Sequence, residues 1–101
     1  AADVRRKGEL LVAGLREIAA RHSARRLGVR GRGLIQGLEM PKPELAKAVS
    51  HKAFQQGIII ELAGPNDEVL KFLPPLVINE SDLREGLATV GQIIDAVLSS
   101  P

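Results

Sequence analysis

Gly57-Ile-Ile-Ile-Glu-Leu-Ala-Gly-Pro-Asn-Asp-Glu-Val-Leu-Lys-Phe-Leu-Pro-Pro-Leu-Val-Ile-Asn79 is the stretch on which the fold of this chain turns, because it reads as the sheet and the segments around it read chiefly as helices needing a surface. The run Ile58-Ile59-Ile60 is too short and too β-branched for a helix, and turn residues bracket it: Gly57 before, Gly64-Pro65-Asn66-Asp67 after. It predicts a buried strand. From Val69 to Leu73 the chain extends again; alternation puts Val69, Lys71 and Leu73 on one face, Leu70 and Phe72 on the other. Pro74-Pro75 offers no amide hydrogens to a ladder, so the strand must end, bulge or run along an edge before Leu76-Val77-Ile78 resumes it. Lys71 therefore stands beside a rigid corner.

The chain has 101 residues, enough for one domain spanning 1–101, and 45% apolar with 26% charged residues fits a globular core rather than disorder. Cysteine is absent and the two histidines, His22 and His51, are far apart in sequence, so no disulfide, thiolate or zinc motif can be assembled and no metal is expected. No apolar run approaches the ~20 residues of a membrane span and no signal-peptide pattern opens the chain, so the expectation is a cytoplasmic protein without membrane contact. A net charge of +2 is too small to name a polyanionic partner.

Upstream, Val4, Leu11, Leu15 and Ile18 fall on one side of a helix predicted from Asp3, a candidate N-cap, to about Arg26, with Gly28 ending it. Arg21, His22, Arg25 and Arg26 meet the negative end of the helix dipole, each contributing about 0.3–1 kcal/mol. His22 continues the apolar stripe and reads as a boundary histidine rather than a catalytic one, with no acidic or nucleophilic partner near it in sequence. Val29 to Met40 predicts a strand with a glycine-rich start, Arg30-Gly31-Arg32-Gly33. Those arginines could contact an anion, although phosphate-binding glycine loops require a following helix N-terminus and a strand follows here. The alternative is structural: Gly31 and Gly33 permit a bulge or a close backbone approach, with Arg30 and Arg32 solvated or paired.

Pro43 at N1, Glu44 in the first turn and Leu45, Ala46, Val49 and Ala53 in one sector predict a helix ending at Gly57, with Phe54 toward its edge. Asn79 is a good N-cap for the last helix, Asp82 stands at N3, and Leu83, Leu87, Val90, Ile94 and Val97 form its stripe. The order α-β-α-β-β-α predicts an α+β fold: a small, mostly antiparallel sheet of three to four strands with helices packed on one side. There is no internal repeat and no linker.

Three motifs in this order and spacing, Val29-Arg30-Gly31-x-Gly33-Leu34, Gly57-Ile-Ile-Ile60 and Lys71-x-x-Pro74-Pro75-Leu76, resemble the C-terminal small domain of class III aminotransferases, fold-type I enzymes that use pyridoxal phosphate. Gly64 with Asp67-Glu68-Val69-Leu70-Lys71 is most similar to the diaminobutyrate:2-oxoglutarate aminotransferase branch of ectoine synthesis. The resemblance covers nearly the whole chain and implies a parent enzyme moving an amino group between diaminobutyrate, or a similar ω-amino acid, and 2-oxoglutarate. It also implies that the Schiff-base lysine, the aspartate on the pyridine nitrogen and the phosphate loop belong to a large domain preceding Ala1. None of Lys7, Lys42, Lys47, Lys52 or Lys71 stands in a matching context, so the expectation is a fragment without catalytic residues. It should bind pyridoxal phosphate only non-specifically and be inactive alone. Its partners would be the large domain, a second subunit and small amino and keto acids, and surfaces that faced the large domain would favour self-association.

Where Lys71 stands, many members of the class have arginine, which the resemblance implies binds a substrate α-carboxylate. Lysine keeps the charge and loses the planar fork that grips a carboxylate with two bonds. Two other classes stay open at this point. A nucleic-acid-binding module would use Arg21, Arg25, Arg26, Arg30 and Arg32, though with only Phe54 and Phe72 as stacking platforms. A free-standing interaction or regulatory domain is compatible with the same α+β layer.

Overall fold

A computed structural model describes residues 2–99, with elements α1 (Ala2–Arg21), a 3-10 turn (Ser23–Arg25), β1 (Gly28–Arg32), β2 (Ile35–Glu39), α2 (Pro43–Gln55), β3 (Glu61–Ala63), β4 (Val69–Phe72) and α3 (Glu80–Ser99). The four strands form one antiparallel sheet in the order β1-β2-β4-β3. The α+β class and the helices on one side are as expected; the element order is α-β-β-α-β-β-α.

The added strand comes from the segment expected to be a single one. Gly33, at φ +53, and Leu34 make a two-residue turn between Arg32 and Ile35, and glycine at the first turn position matches the twist that antiparallel strands require. Gly31, at φ +138, is where the hairpin approaches itself most closely: a Cβ there would collide with the Ile35 carbonyl oxygen. Leu34 is buried, so the turn is anchored to the core and not merely exposed chain.

Ile58-Ile59-Ile60 is not a strand, because helix capping claims its backbone. The Gly57 amide donates to the Phe54 carbonyl at 3.0 Å and the Ile58 amide to the Ala53 carbonyl at 2.9 Å, a Schellman closure with Gly57 at φ +82. The Ser50 hydroxyl then donates to the Ile60 carbonyl at 2.8 Å. Pairing begins only at Glu61, and Ile59 is left 78% exposed. Likewise Leu76-Val77-Ile78 is a turn, closed by the Ile78 amide on the Pro75 carbonyl at 3.0 Å. α1 stops at Arg21 rather than near Arg26, whose own φ is +60, and Asp3 lies inside its first turn rather than capping it.

The buried side of the sheet carries Gln36, Leu38, Leu70 and Phe72, and the helices contribute Leu11, Leu15, Ile18, Val49, Leu83, Ile94 and their neighbours to one continuous core. Each fully buried leucine or isoleucine there is worth about 1.5–3 kcal/mol. Gln36 stays in the core by donating its amide to the Gly33 carbonyl at 2.9 Å. α1 lies against β1 and β2, α2 against β3 and β4, and α3 packs on both α1 and α2. Arg6 pairs with Glu80 at the first turns of α1 and α3, while Arg21 and His22 pair with Asp95 toward their last turns, so the two helices run parallel. Asn79 caps α3, its side-chain oxygen accepting from the Asp82 amide at 2.7 Å.

Candidate substrate-carboxylate site

On the side of the sheet away from the helices, Arg30 on β1, Gly37 on β2, Lys71 on β4 and Glu61 on β3 stand directly opposed in a row. Opposed residues share a face, so the register brings Arg30 and Lys71 to the same side with a glycine between them. Arg30 is already committed, with its guanidinium 2.6 Å from the Glu39 carboxylate two positions along β2. The Val69 side chain, with the Arg30 stem farther off, lies over Gly37 and keeps that glycine buried. Arg32, next to the hairpin turn, is exposed and has no polar partner among the described residues; Lys71 has none either.

Lys71 differs from Arg32 in its surroundings. It is half-buried at the margin of a cleft of about 570 Å³ that runs from Lys71 and Glu61, past Leu73 and Pro74, to Leu83 and Leu87 on α3. That volume is within the range of small-molecule sites. The walls are mainly apolar; their charged members are Lys71, Glu61 and Asp82, so among the described residues Lys71 is the one cation of the cleft. Such a site can hold an aliphatic chain and put positive charge on an acid group at one end. Its lining does not supply the donors that a cofactor phosphate would require, so pyridoxal phosphate does not fit the residues present. Pro74 and Pro75 form the corner where β4 leaves the sheet.

Several other charges are paired within the fold. His22 was missed as a paired residue: its Nε2 is 2.6 Å from Asp95 Oδ1, and Arg21 approaches the same carboxylate at 3.1 Å. Burial pushes the Asp95 carboxyl up, but the hydrogen bonds from His22 and Arg21 outweigh it and hold the group below its ordinary value. Glu80 is also held low, first by Arg84 and then by Arg6, and Asp3 by Lys7. Arg25 donates to the Leu98 carbonyl at 3.0 Å, so Arg21, Arg25 and Arg30 are all occupied internally and do not present a basic face. Phe72 is in the core. Lys7 was also missed: it is the one buried cation among the described residues, set 2.9 Å from Asp3 and 3.5 Å from the Leu76 carbonyl. Among the described residues no three acidic or histidine side chains converge on a metal position, and no helix is long and apolar enough to cross a membrane.

The family profile of class III aminotransferases matches residues 1–94. The chain belongs to the class III aminotransferase family. It is 47% identical over 95 residues to a diaminobutyrate–2-oxoglutarate transaminase from Wolinella succinogenes, a match covering 94% of this chain and 22% of that protein. In solved structures it superposes on the lysine aminotransferase of M. tuberculosis in its internal aldimine form with a TM-score of 0.84, at 27% identity over 94% of this chain and 21% of that one. A phospholyase from Arthrobacter in complex with phosphoethanolamine gives 0.85, at 30% identity over 99% and 25%. The chain thus spans about a fifth of the length of the curated relatives it matches. The same layer serves enzymes named for different chemistries, so the fold of this segment does not by itself select the reaction. None of these relatives supports a nucleic-acid-binding module or a free-standing regulatory domain.

Proposed function

We propose that this segment is the C-terminal small domain of a pyridoxal-phosphate aminotransferase transferring an amino group between diaminobutyrate, or a similar ω-amino acid, and 2-oxoglutarate, with Lys71 binding a substrate carboxylate. The observation that carries the reading is Lys71 itself, an unpartnered, half-buried cation on the margin of an apolar cleft. The near-half identity to a diaminobutyrate transaminase along most of the chain supports the substrate class. Catalytic groups, and the residues that hold the cofactor, fall to a large domain outside these residues, and a second subunit would complete the enzyme. In such enzymes the cofactor carries the amino group while the protein orients the substrate. A cytoplasmic setting fits this metabolism of small amino and keto acids.

The alternating faces of β4 separate Lys71 from the core residues Leu70 and Phe72. A carboxylate received by the Lys71 ammonium therefore leaves the core packing undisturbed. The loss of a charge-assisted hydrogen bond costs about 1.5–3 kcal/mol, or roughly ten- to hundredfold in affinity. In the complete enzyme, Lys71→Ala should raise the KM for 2-oxoglutarate by about that factor, while Lys71→Arg retains most of the affinity. The melting temperature of the 101-residue chain should barely change. Unaltered acceptor kinetics in Lys71→Ala would refute the role and turn the search to Arg32, Arg30 or the large domain.

A further inference from the structure

The connection from β4 to α3 poses a packing problem of its own. Leu73, Leu76 and Val77 are 44%, 64% and 90% exposed, so hydrophobic burial holds this segment only at its far end, where Ile78 packs against the core. Within it there is one backbone hydrogen bond, from the Ile78 amide to the Pro75 carbonyl, before Asn79 caps the helix. Yet the adjoining corner carries Lys71, and an anion contact is effective only where its cation is held in place.

The first turns of α1 supply what the connection lacks. Lys7 has only 8% of its side chain exposed, and burying an ammonium is costly unless oxygens receive it. Its Nζ lies between the Asp3 carboxylate at 2.9 Å and the Leu76 carbonyl at 3.5 Å. One residue back, Arg6 pairs with Glu80, the first residue of α3, which Arg84 also holds at 2.9 Å. Asp3 accepts from Arg6 as well, at 3.4 Å. Adjacent cations on one helix thus grip the connection at its middle, Leu76, and at its far end, Glu80, and a single carboxylate braces them.

We propose that Lys7, assisted by Arg6, is a positioning residue that clamps the β4–α3 connection and so fixes the Pro74-Pro75 corner next to Lys71. The effect on substrate rests on the reading of Lys71 given above; the clamp itself does not. Lys7→Met preserves the buried stem and removes the ammonium, so it separates the grip from the packing, and Lys7→Arg restores a donor.

The test combines amide hydrogen exchange in the 101-residue chain with kinetics of the complete enzyme. In Lys7→Met the Ile78 amide should exchange about tenfold faster, the factor expected for losing one charge-assisted bond. The Ile94 amide in the core should change far less, and Lys7→Arg should return Ile78 close to its original rate. Arg6→Met, at an exposed position that leaves the core filled, should raise the Ile78 rate by a smaller factor. In the enzyme, Lys7→Met should raise the KM for 2-oxoglutarate several-fold with kcat nearly constant. Unchanged exchange at Ile78, or an equal acceleration at Ile94, overturns the clamp. Faster exchange at Ile78 with an unmoved KM overturns the positioning role if Lys71→Ala does shift that KM. If neither variant shifts it, the role of Lys71 fails and the clamp on the connection stands.

Discussion

Where α1 and α3 cross, Gly14 makes room for Leu87: a Cβ added at Gly14 would stand 2.7 Å from one Leu87 methyl and 3.1 Å from the other. The pair lends itself to a double-mutant cycle. Leu87 is partly buried against the core, so Leu87→Ala should cost about half the 2–5 kcal/mol of a fully buried leucine, about 1–2.5 kcal/mol. Gly14→Ala gains about 1 kcal/mol of helix propensity and loses about 1–3 kcal/mol by crowding Leu87, giving a net cost between about 0 and 2 kcal/mol. Once Leu87 is alanine the crowding disappears, and Gly14→Ala should become stabilising by about 1 kcal/mol. The coupling energy is therefore about 1–3 kcal/mol, with the sign that makes the double variant more stable than additivity predicts. Urea unfolding followed by far-UV circular dichroism is the suitable assay, since the chain has neither tryptophan nor tyrosine for fluorescence. Additivity within about 0.5 kcal/mol would refute the contact, and with it the close approach of the two helices at this point.

Ile94 is fully buried, and Ile94→Ala should cost about 2–5 kcal/mol, a large share of the about 5–15 kcal/mol typical of a domain, lowering the thermal midpoint by more than about 10 °C. A smaller shift would move Ile94 out of the core. Asn79→Ala should cost about 0.5–2 kcal/mol by orphaning the Asp82 amide, and Asn79→Asp should recover most of it; equal urea midpoints for all three proteins would refute the cap. Asp3, Glu80 and Asp95 all have carboxyl values held below the ordinary range, so the unfolded chain takes up protons before the folded one as pH falls. Their contribution is complete above the ordinary carboxylate values and is lost below about pH 4; because these groups are solvent-screened, urea midpoints should decline only modestly there and shift little between pH 5 and 7. Asp95→Asn should flatten part of that acid limb.

The features legible in the sequence are those written in local chemistry. The Asn79 cap, the helix from Pro43 with Gly57 just beyond it, and the alternation that separates Lys71 from Leu70 and Phe72 all depend on residues a few positions apart. Gly33-Leu34 was equally local, a glycine-first pair inside twelve residues, but its β-compatible flanks read as one long strand. Ile58-Ile59-Ile60 misleads for a different reason. Its β-branched side chains suit a strand, while its backbone is taken by α2 through Ala53 and Ser50. Lys7 and His22 both continue the stripe of Val4, Leu11, Leu15 and Ile18, so their burial could have been suspected. Their partners Leu76 and Asp95 could not, because only the folded parallel helices bring them near. Of the candidate site, the sequence and its family resemblance pointed to Lys71; the cleft and the commitment of Arg30 to Glu39 emerge only in three dimensions.

The parallel arrangement of α1 and α3 also constrains how the chain reaches its structure. Arg6–Glu80 and Arg21–Asp95 are both separated by 74 positions, and His22–Asp95 and Arg25–Leu98 by 73. Because the offset is constant, the loop-closure entropy of the first long-range contact is incurred once, and later contacts along the same seam form between segments already held together. The seam should therefore close as a zipper with a slow first step. The β1–β2 hairpin, whose strands are joined by two residues, has no such delay and can form early. Until α3 has joined, the stripe on α1 has lost one of its covers, so folding in this segment awaits the last residues of its longest-range pairing.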